Sequence, residues 1–167
     1  RWQQHLKTSG AYYRDAARSL KEVPDDCGGP TAALALDCVA AVMEACRIGR
    51  LTRNQHVLLR LGELIAYAEC AAKLARRAYA AAEGALPDKA DKRFESAALA
   101  AVSRVFARDA AHKVAEEGLR WVAGASRSGA DLAATLPLER VRAAQTGLLA
   151  DMDLVADALY GREAGLS

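Results

Sequence analysis

The stretch RDAAHKVAEE, residues 108 to 117, places Asp109, His112 and Glu116 at i, i+3 and i+7, so that one helix face carries three groups able to ligate a metal or move a proton. Carboxylate-bridged di-metal bundles use this chemistry, but they need Glu-x-x-His on each of two helices and a further Glu from each of the other two. Here the motif occurs once, as Asp-x-x-His, and Gln145 is the nearest polar residue on the inward stripe of the last helix. A histidine–carboxylate contact on a face that continues the apolar row, or a partly exposed face, is the expectation, and no residue is assigned to metal.

The other histidines, His5 and His56, lack a Ser or Cys partner with a third residue to orient them, so nucleophilic catalysis gains no support. Both read as surface or cap-region side chains. GxGxxG, GxxxxGK[ST] and GxSxG are absent, and GASRSG (124 to 129) has loop composition without a preceding strand. Lys73, Arg76 and Arg77 fall near a helix C-terminus, where cations complement the dipole without any ligand. Cys27, Cys38, Cys46 and Cys70 have neither CxxC pairing nor zinc spacing, and each reads as a small, buried apolar residue in a reducing compartment. The expected list of catalytic, cofactor-binding and metal-binding residues is therefore empty.

The elements that must position these groups are helices. With 167 residues, 52% hydrophobic and 26% charged but only 5% aromatic, the chain suits one alanine-rich helical domain with closely packed interfaces. Twenty-three basic against 21 acidic residues leave a formal charge of +2, and no basic stripe or recognition helix points to nucleic acid. No segment has the roughly 18 uninterrupted apolar residues of a membrane span, and RWQQHLKTSG lacks the apolar core of a signal peptide. The first residue is Arg rather than Met, which reads as a piece of a longer protein.

Turn-forming residues cluster at 23–30, 47–52, 83–91 and 123–137, and the segments between them have helical period. Trp2, Leu6, Tyr13, Ala16, Leu20 and Val23 share one face of an N-terminal amphipathic helix, interrupted by Ser9. Thr31 is the expected N-cap of a second helix with the row Ala35, Val39, Val42, Cys46, stopped by Gly49. The segment GRLTRNQHVLLRLGELIAYAECAAKLARRAY repeats Leu58, Leu61, Ile65, Ala68, Ala72, Ala75, Tyr79 and, beyond its end, Ala82 at spacings of three and four, with Glu69 and Lys73 as an outer i,i+4 pair. The next helix is expected from Asp88 or Asp91 through Phe94, Ala98, Ala101 and Val105 to Leu119 and Val122. A last one runs unbroken through Leu138, Val141, Gln145, Leu148, Met152, Val155 and Leu159 to Gly161. The fold class predicted is all-α: an antiparallel up-and-down four-helix bundle over 31–160, with an extra N-terminal helix over 1–23.

Gln55, Leu58, Arg60, Leu61, Gly62 and Glu63, with Arg77 and Ala78 further on, resemble the extra C-terminal helical domain of very-long-chain-type acyl-CoA dehydrogenases. The stretch AAHKVAEEGLRWVAG, with Glu117-Gly118, is similar to that domain's next helix, and 138–160 to its last; the resemblance covers roughly 31–160. It implies a non-catalytic domain that packs on a flavin-dependent catalytic core, supports a homo-oligomer, and leaves FAD and the catalytic glutamate to that core. It also implies a cytoplasmic protein peripheral to a membrane, although LKEVPDDCGGP is shorter and more acidic than the family's membrane-binding link. The N-terminal helix, with Trp2, Leu6, Tyr12, Tyr13 and Leu20 beside Arg1, Lys7, Arg14, Arg18 and Lys21, has the composition to take that role or to pack on the bundle. The alternative is a free-standing ligand-binding or interaction bundle, such as a transcriptional-regulator effector domain with an alanine-lined interior, although no helix-turn-helix precedes it.

Overall fold

A computed structural model describes residues 10–90, 93–127 and 129–161. Among them every regular element is helical and no strand occurs. The helices are α1 (Ala11–Arg18), α2 (Gly29–Ile48), α3 (Gln55–Ala82), α4 (Ser96–Ala125), α5 (Gly129–Thr135), α6 (Leu138–Ala143) and α7 (Leu148–Tyr160).

The three long helices form the centre, and their directions follow from which residues meet. His56 lies against Trp121, Glu63 against Lys113 and Tyr67 against Phe106, so α3 runs antiparallel to α4. Gly28, which caps α2, approaches Ser103 and Arg104, whereas Val42 approaches Gly118, so α2 and α4 run parallel. Asp151 meets Arg104 while Gly147 meets Arg108, which turns α7 antiparallel to α4. The side chains at these seams are mostly small. Ala68, Ala71, Ala72, Ala75 and Ala78 of α3, and Ala107, Ala110, Ala111 and Ala115 of α4, are all buried. Short side chains let helix backbones approach closely, which is how an aromatic-poor chain reaches native packing density.

The row of α2 and the middle of the α3 row lie where the sequence puts them, with Ala35, Val39, Val42 and Cys46, and Leu61, Ile65, Ala68, Ala72 and Ala75, in one buried cluster; at the ends of the α3 row Leu58 and Tyr79 are half-buried and Ala82 is exposed. Asn54 caps α3, its side-chain oxygen accepting from the backbone N–H groups of His56 and Val57 at 3.0 and 3.2 Å.

The ends of the elements depart from expectation. Gly10 caps α1 in the left-handed region at φ 72°, so the N-terminal row does not pass through as one helix; Trp2, Leu6 and Ser9, like His5, Arg1 and Lys7, lie outside the described residues. From there on the row is used on the bundle, because Tyr13, Leu20 and Val23 join the same buried cluster and Ala16 packs half-buried against it, with Ala17 beside them buried as well. The cap of α2 is Gly28 at φ 80° rather than Thr31, since Gly28 and Pro30 already set the entry into the first turn. The fourth segment becomes helical at Ser96 rather than at Asp88; the other expected start, Asp91, lies outside the described residues. Glu69 accepts from the hydroxyl of Tyr13 at 3.4 Å, an interhelical contact that the expected pairing with Lys73 did not foresee.

The largest correction is the last helix. It breaks between α6 and α7, where Gly147 takes φ 81°. Val141 of α6 is buried, but in α7 the one buried residue is Asp151. Leu149, Met152, Leu154, Leu159 and Tyr160 of α7 are exposed. Of the apolar row predicted to face the core over 148–160, Met152 and Leu159 are exposed and Leu148 and Val155 only half-buried, so none of it reaches the core.

Candidate functional site

The expected inward trio is not inward. Asp109, His112 and Glu116 are all exposed on α4, on a shallow surface groove shared with Tyr67, Lys113 and Glu117. The buried face of α4 is instead the row Ala107, Ala110, Ala111, Val114, Ala115, Gly118 and Val122, one helical position away. Among the described residues no group of three or more His, Cys, Asp or Glu side chains is arranged to hold a metal.

His56 is exposed in the first turn of α3, its ring edge-on to Trp121 at 4.9 Å between centroids. The guanidinium groups of Arg60 and Arg120 lie 5.4 and 5.0 Å from the same indole. Further along the α3–α4 seam, Lys113 sits 5.0 Å from the ring of Tyr67 and donates to Glu117 at 2.8 Å. Lys113 also pairs with Glu63 at 3.1 Å, and Glu63 in turn accepts from Arg60. This ladder of rings and charges joins two helices from outside. The Lys113 ammonium and Arg60 guanidinium hold the Glu63 carboxyl below its usual range. Gln55, Arg60 and Glu63, the residues that gave the sequence its family resemblance, thus divide between solvent and this seam.

Cys27, Cys38 and Cys46 are buried, and desolvation pushes the Cys38 thiol up to about 12 and the Cys46 thiol to about 11; the fourth, Cys70, is exposed, against expectation. A residue on the outer arc of a regular alanine-rich helix gives no sign of its side in composition alone. Arg76 does more than complement a dipole: its Nη2 donates to Ser19 Oγ at 2.6 Å, tying the end of α1 to α3. In GASRSG, Gly129 opens α5 and packs so closely on Ala123 that a Cβ would lie 2.6 Å from it, so the turn serves helix packing; Ser128 lies outside the described residues.

The most completely built polar site was not foreseen. Asp151 of α7, 6% exposed, accepts from Arg104 Nε at 3.0 Å to Oδ1 and 2.9 Å to Oδ2, and also from Arg104 Nη2 and Arg108 Nη1. Arg104 reaches on to the carbonyl of Asp26, and Arg108 donates from Nε to the Ala144 carbonyl at 2.8 Å and from Nη2 to the Thr146 carbonyl at 3.0 Å. Gln145, expected on the inward row, lies in the turn before α7, and its Nε2 donates to the carbonyls of Arg108 and Val141, both at 3.3 Å. Two arginines four residues apart thus meet one carboxylate and the open carbonyls at the end of α6. The two guanidinium groups hold the Asp151 carboxyl below its ordinary range, and the Asp151 carboxylate in turn raises the Arg104 guanidinium. Each guanidinium nitrogen of Arg104 and Arg108 has a partner within the chain, so the site's chemistry is fastening. The sequence signal for it was slight: an Asp beside an apolar row, and Arg104 and Arg108 at i,i+4.

Against known proteins, no family model, no curated protein and no solved structure matches this chain.

Proposed function

We propose that this chain is a non-catalytic helical packing domain, the C-terminal domain of an FAD-dependent acyl-CoA dehydrogenase of the very-long-chain type. One observation carries the packing role: α7 lies on the bundle with Leu149, Met152, Leu159 and Tyr160 turned to solvent, an apolar face suited to another folded surface. The assignment to this enzyme family rests on the residues from Gln55 to Glu63 and on Glu117-Gly118. In this reading α2, α3, α4 and the broken C-terminal arm are the four rods of an up-and-down bundle. The flavin-bearing core covers the arm, and the chemistry, FAD and acyl-CoA belong to that core in a cytoplasmic homo-oligomer. No helix among the described residues is long and apolar enough to cross a membrane. Peripheral membrane contact would fall to residues 1–9, because the apolar row of α1 is spent on the bundle.

The test is the messenger that encodes the chain. An in-frame flavoenzyme core upstream of Arg1 supports the reading, and a start codon immediately before Arg1 rejects it. At the bench, flavin absorbance that stays with the purified chain would contradict the placing of the cofactor elsewhere.

A second reading, a free-standing ligand-binding bundle, is favoured by the groove of about 430 Å³ along Leu58, Leu59, Leu61, Gly62 and Ile65, a size that suits a small apolar ligand. Saturable binding of an apolar fluorophore, lost in Gly62→Trp, would favour it over the first.

A further inference from the structure

We propose that α7 is a hinged arm, latched to the bundle by the Arg104–Asp151–Arg108 clasp, and that it opens as a unit at Gly147 while α2, α3 and α4 stay folded. The inference is independent of the enzyme family proposed above.

Helices in a bundle are ordinarily held by apolar burial. No residue of α7 belongs to the buried apolar cluster or to the half-buried apolar rim packed around it, whereas α6, immediately before, supplies Val141 and Leu138. The boundary between an element held by the core and one that is not therefore falls between Ala143 and Leu148. Gly147 stands there at φ 81°, a conformation that favours glycine and joins the two helices without continuing either.

Asp151, the one buried side chain of α7, meets two guanidinium groups. Arg108 also fastens the carbonyls of Ala144 and Thr146, just upstream of Gly147. Its grip therefore spans the hinge. A buried carboxylate stripped of its partners is strongly unfavourable, but that penalty does not arise here when the arm leaves. Asp151 goes into water with α7, and Arg104 and Arg108, 20% and 11% exposed in their side chains, are uncovered by the same movement. Opening thus breaks the ionic contacts of Asp151 and withdraws no residue from the buried apolar cluster. Low-stability elements of this kind supply the moving parts of folded domains.

The experiment is amide hydrogen exchange followed by mass spectrometry on the whole chain, comparing the wild type with Asp151→Asn and Met152→Gln. Losing charge-assisted hydrogen bonds predicts that Asp151→Asn lowers protection over 148–160 by roughly tenfold to a hundredfold, with α2, α3 and α4 unchanged. Met152→Gln removes an exposed apolar group and keeps helix propensity, so protection stays within about twofold of the wild type. The proposal is overturned if Asp151→Asn leaves α7 protected, or if protection falls in α2–α4 together with α7. It is also overturned if Met152→Gln loosens α7 as much as Asp151→Asn does, since the apolar row would then be what holds the helix.

Discussion

Gly118 of α4 lies against Val42 of α2 so closely that a Cβ there would sit 2.4 Å from Cγ2 and 3.3 Å from Cγ1. Val42 is itself 2% exposed and its β-branched side chain has no free rotamer to retreat to, so any larger residue at 118 must push the two helices apart. Overpacking of this kind costs about 1–3 kcal/mol, against about 1 kcal/mol gained when alanine replaces glycine in a helix. Gly118→Ala is therefore expected to destabilise the domain by up to about 2 kcal/mol in urea unfolding.

Gly62 supplies the opposite sign. It lies in α3 with nothing within 4 Å of the position a Cβ would occupy. Gly62→Ala is expected to stabilise by up to about 1 kcal/mol, which for a chain of this size raises Tm by about 2–4 °C.

Ser103 is fully buried, and its hydroxyl donates to the Cys27 carbonyl at 2.8 Å across 76 residues of sequence. The bond fastens the turn before α2 to α4. Ser103→Ala leaves that carbonyl without this donor, and the expected loss is about 1–3 kcal/mol by thermal or urea unfolding.

Thiol reactivity should divide three to one. Cys70 is exposed, while Cys27, Cys38 and Cys46 are buried with their thiols pushed up by desolvation. At pH 8, one thiol per chain is expected to react promptly with an aromatic disulfide reagent and all four after unfolding in guanidinium. Cys70→Ser should remove the prompt reaction.

Acid should loosen the charge contacts first. Asp151 and Glu63 both have carboxyl groups held below their ordinary range, so at these two groups the folded state binds fewer protons than the unfolded one, while burial pushes the Asp37 carboxyl up with the opposite sign. The stabilisation from Asp151 and Glu63 is complete above the unfolded value near pH 4 and is lost as pH falls through the lower folded values. The groups facing Asp151 are Arg104 and Arg108, with Asp26 and Cys27 beyond Arg104 and Gln145 on Arg108. The slope below pH 4 belongs to carboxylates. A urea midpoint that falls with acidification in the wild type and falls less in Asp151→Asn is the expected result.

Much of the interior was legible because apolar spacing locates a helix face. The rows of α2 and α3, from Ala35 to Cys46 and from Leu61 to Ala75, lie in the core. Spacing does not say whether a face has a partner, and at Met152 and Leu159 it found a row that points to solvent. The same limit hid Asp151, which reads as a surface residue until two arginines from another helix meet it. Asp109, His112 and Glu116 failed by one helical position: the alanines that define the buried face of α4 flank them on both sides, and a row of small residues is too broad to fix rotation. Gly10 and Gly147 were visible as glycines, but their positive φ, which opens α1 and parts α6 from α7, goes with contacts far along the chain, to Ala40 and Arg108.

The alanine seam between α3 and α4 has a consequence for motion. Alanine has no side-chain torsion to lose on folding or to exchange afterwards. Where Ala68, Ala71, Ala75 and Ala78 share the interior with Ala107, Ala110, Ala111 and Ala115, the buried surface has almost no rotameric entropy, and a disturbance there cannot be absorbed by one side chain turning. A disturbance at those alanines passes from one helix to the other as a shift of backbone.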